Sequence, residues 1–107
     1  MHLRHRLAFA ANTPAEPVLR LNIGIALMRL ANWEDARQEL ERATLPDAAG
    51  VSQGTVLYYL GMCYEKLGRF ADATQAWKKA SATAATVTED GAPIKDLAEA
   101  KLTSAAR

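Results

Sequence analysis

The stretch YLGMCYEKLGRFADA at residues 59–73 decides the fold, because NIGIALMRLANWEDA at residues 22–36 aligns with it without a gap. Gly24 aligns with Gly61, which lies 37 residues further along the chain, and Ala36 aligns with Ala73. Each copy reads as two helices joined by a short turn. A helical hairpin of this size cannot bury its apolar face alone, so we expect the two copies to stack.

The composition indicates one small domain, or a piece of one, since the chain has 107 residues and a formal net charge of +1. That charge balance gives no reason to expect a nucleic-acid partner. No apolar run approaches the roughly 18 residues of a membrane span, so we expect no membrane partner. Cys63 is the only cysteine, which excludes an intramolecular disulfide and favours a reducing compartment. We therefore expect a cytoplasmic protein.

Helical periodicity runs through both copies. The first helix of each copy has an apolar face that we expect to point into the core. These faces comprise Leu19, Ile23, Ala26, Leu27 and Leu30 in one copy, and Val56, Leu60, Cys63, Tyr64 and Leu67 in the other. The second helices are expected over residues 33–44 and 70–81, because Asn32 and Gly68 suit the turns before them. A short helix over residues 3–11 and an amphipathic helix that Pro93 opens complete a set of six, with no sheet.

The two copies resemble the tetratricopeptide repeat, a helix pair with the pattern W-x2-L-G-x2-Y, followed by A-x3-F and P. The second copy matches this pattern at Leu60, Gly61, Tyr64, Ala73 and Trp77. The first copy matches it in spacing and residue size at Ile23, Gly24, Leu27, Ala36 and Leu40. Both copies depart from the family at the first position, where the tryptophan is replaced by Arg20 and by Leu57.

The resemblance implies an all-α, right-handed stack of tetratricopeptide-like hairpins with about six helices, all in a single domain over residues 1–107. Residues 1–16 would form an N-terminal helix, as the second half of a truncated repeat. The first repeat would cover residues 17–50 and the second residues 54–87. Residues 92–107 would form a capping helix that shields the second repeat.

The resemblance also implies a function in protein–protein interaction, as a scaffold or adaptor that binds a peptide or a helix on its concave face. The first helix of each pair lines that face, on a stripe one step away from the core. We assign to this stripe Val18, Leu21, Ile25, Met28 and Arg29 from the first copy, and Thr55, Tyr58, Met62, Glu65 and Lys66 from the second. Some family members clamp a carboxylate with Lys and Asn on this face, but the matching positions here are Leu21, Ile25 and Tyr59.

The sequence is compatible with two alternatives to an open binding face. The chain's own flanking helices could cover the stripe, or a second copy could cover it in a homodimer, which would make the chain a self-associating structural module. The chain could also be a fragment of a longer tetratricopeptide-repeat protein. The protein or peptide partner is not identified by the sequence.

We expect neither catalysis nor a cofactor. The sequence has no nucleophile motif and no glycine-rich phosphate loop. His2 and His5 stand three residues apart, but two imidazoles without a neighbouring carboxylate or thiolate make a poor metal site. We therefore expect no enzyme activity and no metal.

Overall fold

The computed structural model describes residues 15–83 and 85–105, and within them the chain forms five helices and no strand. They are α1 (Ala15–Arg29), α2 (Trp33–Arg42), α3 (Gln53–Lys66), α4 (Phe70–Ser81) and α5 (Ile94–Ala105). The all-α prediction is confirmed. The sixth helix, predicted over residues 3–11, lies outside the described residues.

Both hairpins turn through the same backbone motif. In the first, the N–H of Asn32 donates to the carbonyl of Leu27 at 2.9 Å, and in the second the N–H of Arg69 donates to the carbonyl of Tyr64 at 2.8 Å. The residue before each donor has a left-handed backbone, with φ of 58° at Ala31 and 76° at Gly68. This six-to-one hydrogen bond ends each first helix and reverses the chain.

Small residues let the two helices of each pair approach closely. A Cβ atom on Gly24 would lie 2.7 Å from the Cγ and Cδ2 atoms of Leu40, and a Cβ atom on Gly61 would lie 2.2 Å from Nε1 of Trp77. The large side chain of the second helix therefore fills the space above the glycine of the first. The aligned glycines thus serve the same purpose in both hairpins.

Two apolar clusters form the core. The first joins α1, α2 and α3 through Leu21, Ile25, Met28, Ala36, Leu40, Ala43, Val56, Leu60 and Cys63. The second joins α3, α4 and α5 through Tyr58, Ala73, Trp77, Ala80, Ile94 and Ala98. Helix α3 contributes to both clusters, so it is the central helix of the described structure.

The predicted core face of α3 is confirmed, but the predicted core face of α1 was wrong. Val56, Leu60 and Cys63 are buried, whereas Leu30 is 77% exposed and Ala26 is also exposed. Helix α1 buries Leu21, Ile25 and Met28 instead. The face of α3 that carries Val56 and Leu60 packs on the preceding hairpin. Among the described residues no helix precedes α1, so none of them covers its matching face as the first hairpin covers that of α3.

Loop 85–93, which connects α4 to α5, is fixed to the start of α3 by buried hydroxyl groups. Thr55 Oγ1 donates to the carbonyl of Val87 at 2.6 Å, and the Oγ atom of Ser52 lies 3.0 Å from Oγ1 of Thr86. The N–H of Ile94 donates to the carbonyl of Thr86 at 2.9 Å. These bonds place the loop beside α3 and set the position at which α5 begins.

Candidate interaction groove

A cavity of about 220 Å³ opens between the C-terminal halves of α1 and α3, and we call it the groove. Its lining consists of Ile25, Met28 and Arg29 of α1, Trp33 of α2, Tyr59 and Met62 of α3, and Glu89 of loop 85–93. It lies on the first helices of the two pairs, which is the part of the stack from which the sequence predicts binding.

The floor and walls of the groove are apolar. Ile25 and Met28 belong to the first core cluster, and each leaves only a few percent of its surface at the base of the cavity. Trp33, Tyr59 and Met62 are half-buried and pack against that cluster. Since these side chains are held by the core, the groove is formed before any partner binds.

The rim of the groove is charged. Arg29, at the end of α1, forms an ion pair with Glu89 of loop 85–93. Lys66, at the end of α3, places its Nζ atom 5.6 Å from the ring centroid of Trp33. An apolar base with a charged rim is the usual composition of a site that binds a side chain from another protein.

Two weakly acidic groups near the groove, the Tyr59 phenol and the Cys63 thiol, are held in their neutral forms. Burial raises the pKa of the Tyr59 phenol, and the negative charge of Glu89 adds to that effect. Burial also raises the pKa of the Cys63 thiol to about 12. A thiol with so high a pKa is not a nucleophile near neutral pH, so Cys63 acts as a small apolar core residue.

Four of the ten residues predicted for the binding stripe line the groove: Ile25, Met28, Arg29 and Met62. Lys66 stands beside it, on the ring of Trp33. Glu65 instead places a carboxylate oxygen 3.5 Å from Nζ of Lys101 on α5. Val18 is exposed near the start of α1 and does not line the cavity.

The other three predicted residues, Leu21, Thr55 and Tyr58, are buried, which corrects their assignment to an open face. Leu21 is 1% exposed in the first core cluster. Thr55 is bonded to loop 85–93, and Tyr58 packs in the cluster that α5 completes. The chain's own C-terminal segment thus covers one end of the predicted stripe, as one of the alternatives anticipated.

The sequence reasoning missed three residues of the groove, Trp33, Tyr59 and Glu89. Tyr59 could have been found, because it stands at a position that family members use to contact ligands. Trp33 stands at the start of a predicted helix, where packing alone accounts for a large aromatic side chain. No sequence pattern indicated that Glu89 would line the groove, because its position depends on how loop 85–93 folds back on α3.

Outside the groove, the described residues form a second cavity but no group of metal ligands. A second cavity of about 180 Å³ is lined by Leu57, Leu60, Tyr64, Asp72, Gln75, Ala76 and Lys79, on α3 and α4. In the two described ranges, no cluster of three or more His, Cys, Asp or Glu side chains could hold a metal ion. None of the described helices combines the length and the apolar character needed to cross a bilayer.

Comparison with known families identifies the second hairpin. The family model described as tetratricopeptide repeat matches residues 54–84, which contain nearly the whole of α3 and all of α4. Searches of curated proteins and of solved structures give no significant match. Repeats of this family are in general protein-interaction modules without catalytic activity.

The first hairpin has the same turn hydrogen bond and the same glycine contact as the second hairpin. The second hairpin therefore matches the tetratricopeptide repeat, and the same construction in the first hairpin supports assignment of the chain to that family.

Proposed function

We propose that this protein binds a peptide or a helix of a partner protein, and that the groove receives one large apolar side chain of that segment. The observation that carries the proposal is the apolar cavity of about 220 Å³ between α1 and α3, with Arg29 and Glu89 at its rim. A cytoplasmic location is part of the proposal and is supported by the single, buried free thiol of Cys63.

The size of the groove fits an anchor residue such as Leu, Met or Phe. Burial of such a side chain contributes about 1.5–3 kcal/mol, which is typical of an interface residue that dominates affinity. Met62 of α3 lines the groove and is only half-buried. Because methionine is flexible, this side chain can adapt to anchors of different shape.

The charged rim influences the direction in which a bound segment lies across the groove. Arg29 and Glu89 are paired with each other in the free protein, so a bound segment that carries a charge beside its anchor exchanges one ion pair for another. Exchange of exposed ion pairs changes the free energy little. We therefore expect the apolar anchor to set the affinity and the rim to set the direction of the bound segment.

Selection of peptides from a displayed random library tests the proposal. We expect the selected peptides to share one large apolar residue and to lose binding to Met62→Trp, whose larger ring fills the groove. Gln75→Trp is the matched control, because it places the same side chain beside the second cavity. Selected peptides that bind Met62→Trp as well as they bind the unaltered protein would show that the groove is not the site.

A further inference from the structure

We propose that residues 3–11 form a helix that packs on the outer face of α1, which is the face turned away from α3. The outer face carries four apolar residues, Leu19, Ile23, Ala26 and Leu30. Residues 3–11 lie outside the described residues, so the support comes from the face itself, from the aligned face of α3 and from the sequence that precedes α1. The contact uses a different surface from the groove, but it would hold α1, which carries one wall of the groove, from its second side.

The outer face of α1 is an apolar stripe that no described helix covers. Leu30 is 77% exposed, Ala26 is exposed, and Leu19 and Ile23 are half-buried. None of the four belongs to either apolar cluster of the described core. Because they stand at i, i+4, i+7 and i+11, they fall on one side of the helix. Packing of such a face against another element provides most of the stability of a helix in a folded protein.

Helix α3 shows how this chain covers the aligned stripe. Its residues there are Val56, Leu60, Cys63 and Leu67. The first three are buried in the cluster to which α2, the helix that precedes α3 in the chain, contributes Leu40. The two helices run antiparallel, since Trp33 at the start of α2 lies against Lys66 at the end of α3. A preceding antiparallel helix is therefore the cover that this stripe has within the same chain.

The sequence of residues 3–11 suits a helix in the same position before α1. The segment LRHRLAFAA contains neither glycine nor proline, the two residues that most disfavour a helix. Leu3, Leu7 and Ala10 stand at i, i+4 and i+7, so a helix places them on one side. Phe9 lies about 200° around the helix from Leu7, on the other side. The segment therefore offers one apolar face to α1.

The length of the segment sets how far the contact extends. Residues 12–14 form the connection, and three residues are enough to join two antiparallel helices. Nine helical residues span about 13 Å, whereas the 15 residues of α1 span about 22 Å. The segment therefore reaches from the start of α1 past Ile23 and leaves Leu30 uncovered. Leu7, in the middle of the segment, then lies level with Leu19 and Ile23.

Disulfide trapping in the full chain tests the contact and its extent. We expect Leu7→Cys to form a disulfide with Leu19→Cys or Ile23→Cys at least about 10-fold faster than with Leu30→Cys, because a disulfide requires Cα atoms within about 7 Å. The native Cys63 is buried, so its thiol does not compete. Equal rates for Leu30→Cys and the other two positions overturn the proposal. A disulfide that joins two chains also overturns it, because a second copy would then occupy the outer face.

Substitutions within the segment test whether one side of a helix makes the contact. We expect Leu7→Asp to accelerate amide exchange of residues 5–11 by about 10-fold or more, since the docked helix loses its central apolar residue. Phe9→Asp is the matched control, because it removes a large apolar side chain from the opposite side of the same segment, and we expect it to change the exchange by less than about 2-fold. Equal effects of the two substitutions contradict the proposal. So does exchange of residues 5–11 in the unaltered chain that is as fast as in an unstructured peptide.

Discussion

Gly61→Ala tests the closest contact in the second hairpin. The added Cβ atom would lie 2.2 Å from Nε1, 2.5 Å from Cδ1 and 2.7 Å from Cε2 of Trp77. Apolar atoms in contact are ordinarily about 3.5–4.0 Å apart, so the indole would have to move by more than about 1 Å. Trp77 is 2% exposed and belongs to the same buried cluster as Ala73, Ala80 and Ala98, so a shift of the rigid ring has to displace buried neighbours.

The expected cost follows from two opposing effects. Overpacking of this kind costs about 1–3 kcal/mol, and the short distances place Gly61→Ala at the upper end of that range. Replacement of glycine by alanine within a helix returns about 1 kcal/mol. The net loss is therefore about 2 kcal/mol, which lowers the melting temperature of a domain of this size by roughly 8–16 °C.

Gly24→Ala is the matched control, because it occupies the same position in the first hairpin and has the same gain in helix propensity. Its Cβ atom would meet the side chain of Leu40, which can change rotamer where an indole cannot. We expect Gly24→Ala to stay within about 1 kcal/mol of the unaltered chain. Urea denaturation followed by circular dichroism measures both variants. If Gly61→Ala is as stable as Gly24→Ala, the reasoning from the rigid ring is refuted.

Three further substitutions probe the loop and the turns. Thr55→Val removes the donor to Val87 and the acceptor of the Ser52 N–H, so we expect a loss of about 1–3 kcal/mol and faster amide exchange at Ser52; unchanged protection at Ser52 would contradict this. Ala31→Gly relieves a left-handed alanine and should stabilise the chain by about 0.5–1 kcal/mol, whereas Gly68→Ala at the aligned position should destabilise it by a similar amount. Thermal melts compare the two, and shifts of the same sign would show that the backbone angle does not control stability there.

The sequence predicted the hairpins because their determinants are local. Glycine at positions 24 and 61 and alanine at positions 36 and 73 fix where two helices can approach, and the turn after each first helix depends on a few neighbouring residues. Helices α2 and α4 accordingly begin at Trp33 and Phe70, where the alignment of the copies placed them. These features need no knowledge of what else packs on the hairpin.

The buried face of α1 could not be predicted in the same way. This helix has large apolar residues on all sides, including Leu19, Leu21, Ile25 and Leu30, so the periodicity does not select one face. The position of α3 determines which face of α1 is buried, since α3 covers Leu21 and Ile25 and leaves Leu30 in solvent. The groove was predicted only in part for a related reason: Glu89 reaches it through a loop whose path is set by tertiary hydrogen bonds.

The hydroxyl bonds between loop 85–93 and α3 have a consequence for the order in which the protein opens. They join α3, α4 and α5 into one cooperative unit, because α5 cannot leave without exposing Ile94 and Tyr58 and breaking the bonds of Thr55 and Thr86. Helix α1 has neighbours on one side only within the described residues. Fluctuations that release α1 would also dissolve one wall of the groove, while the C-terminal half keeps its structure. Affinity for a groove ligand would then be limited by the fraction of molecules in which α1 is docked.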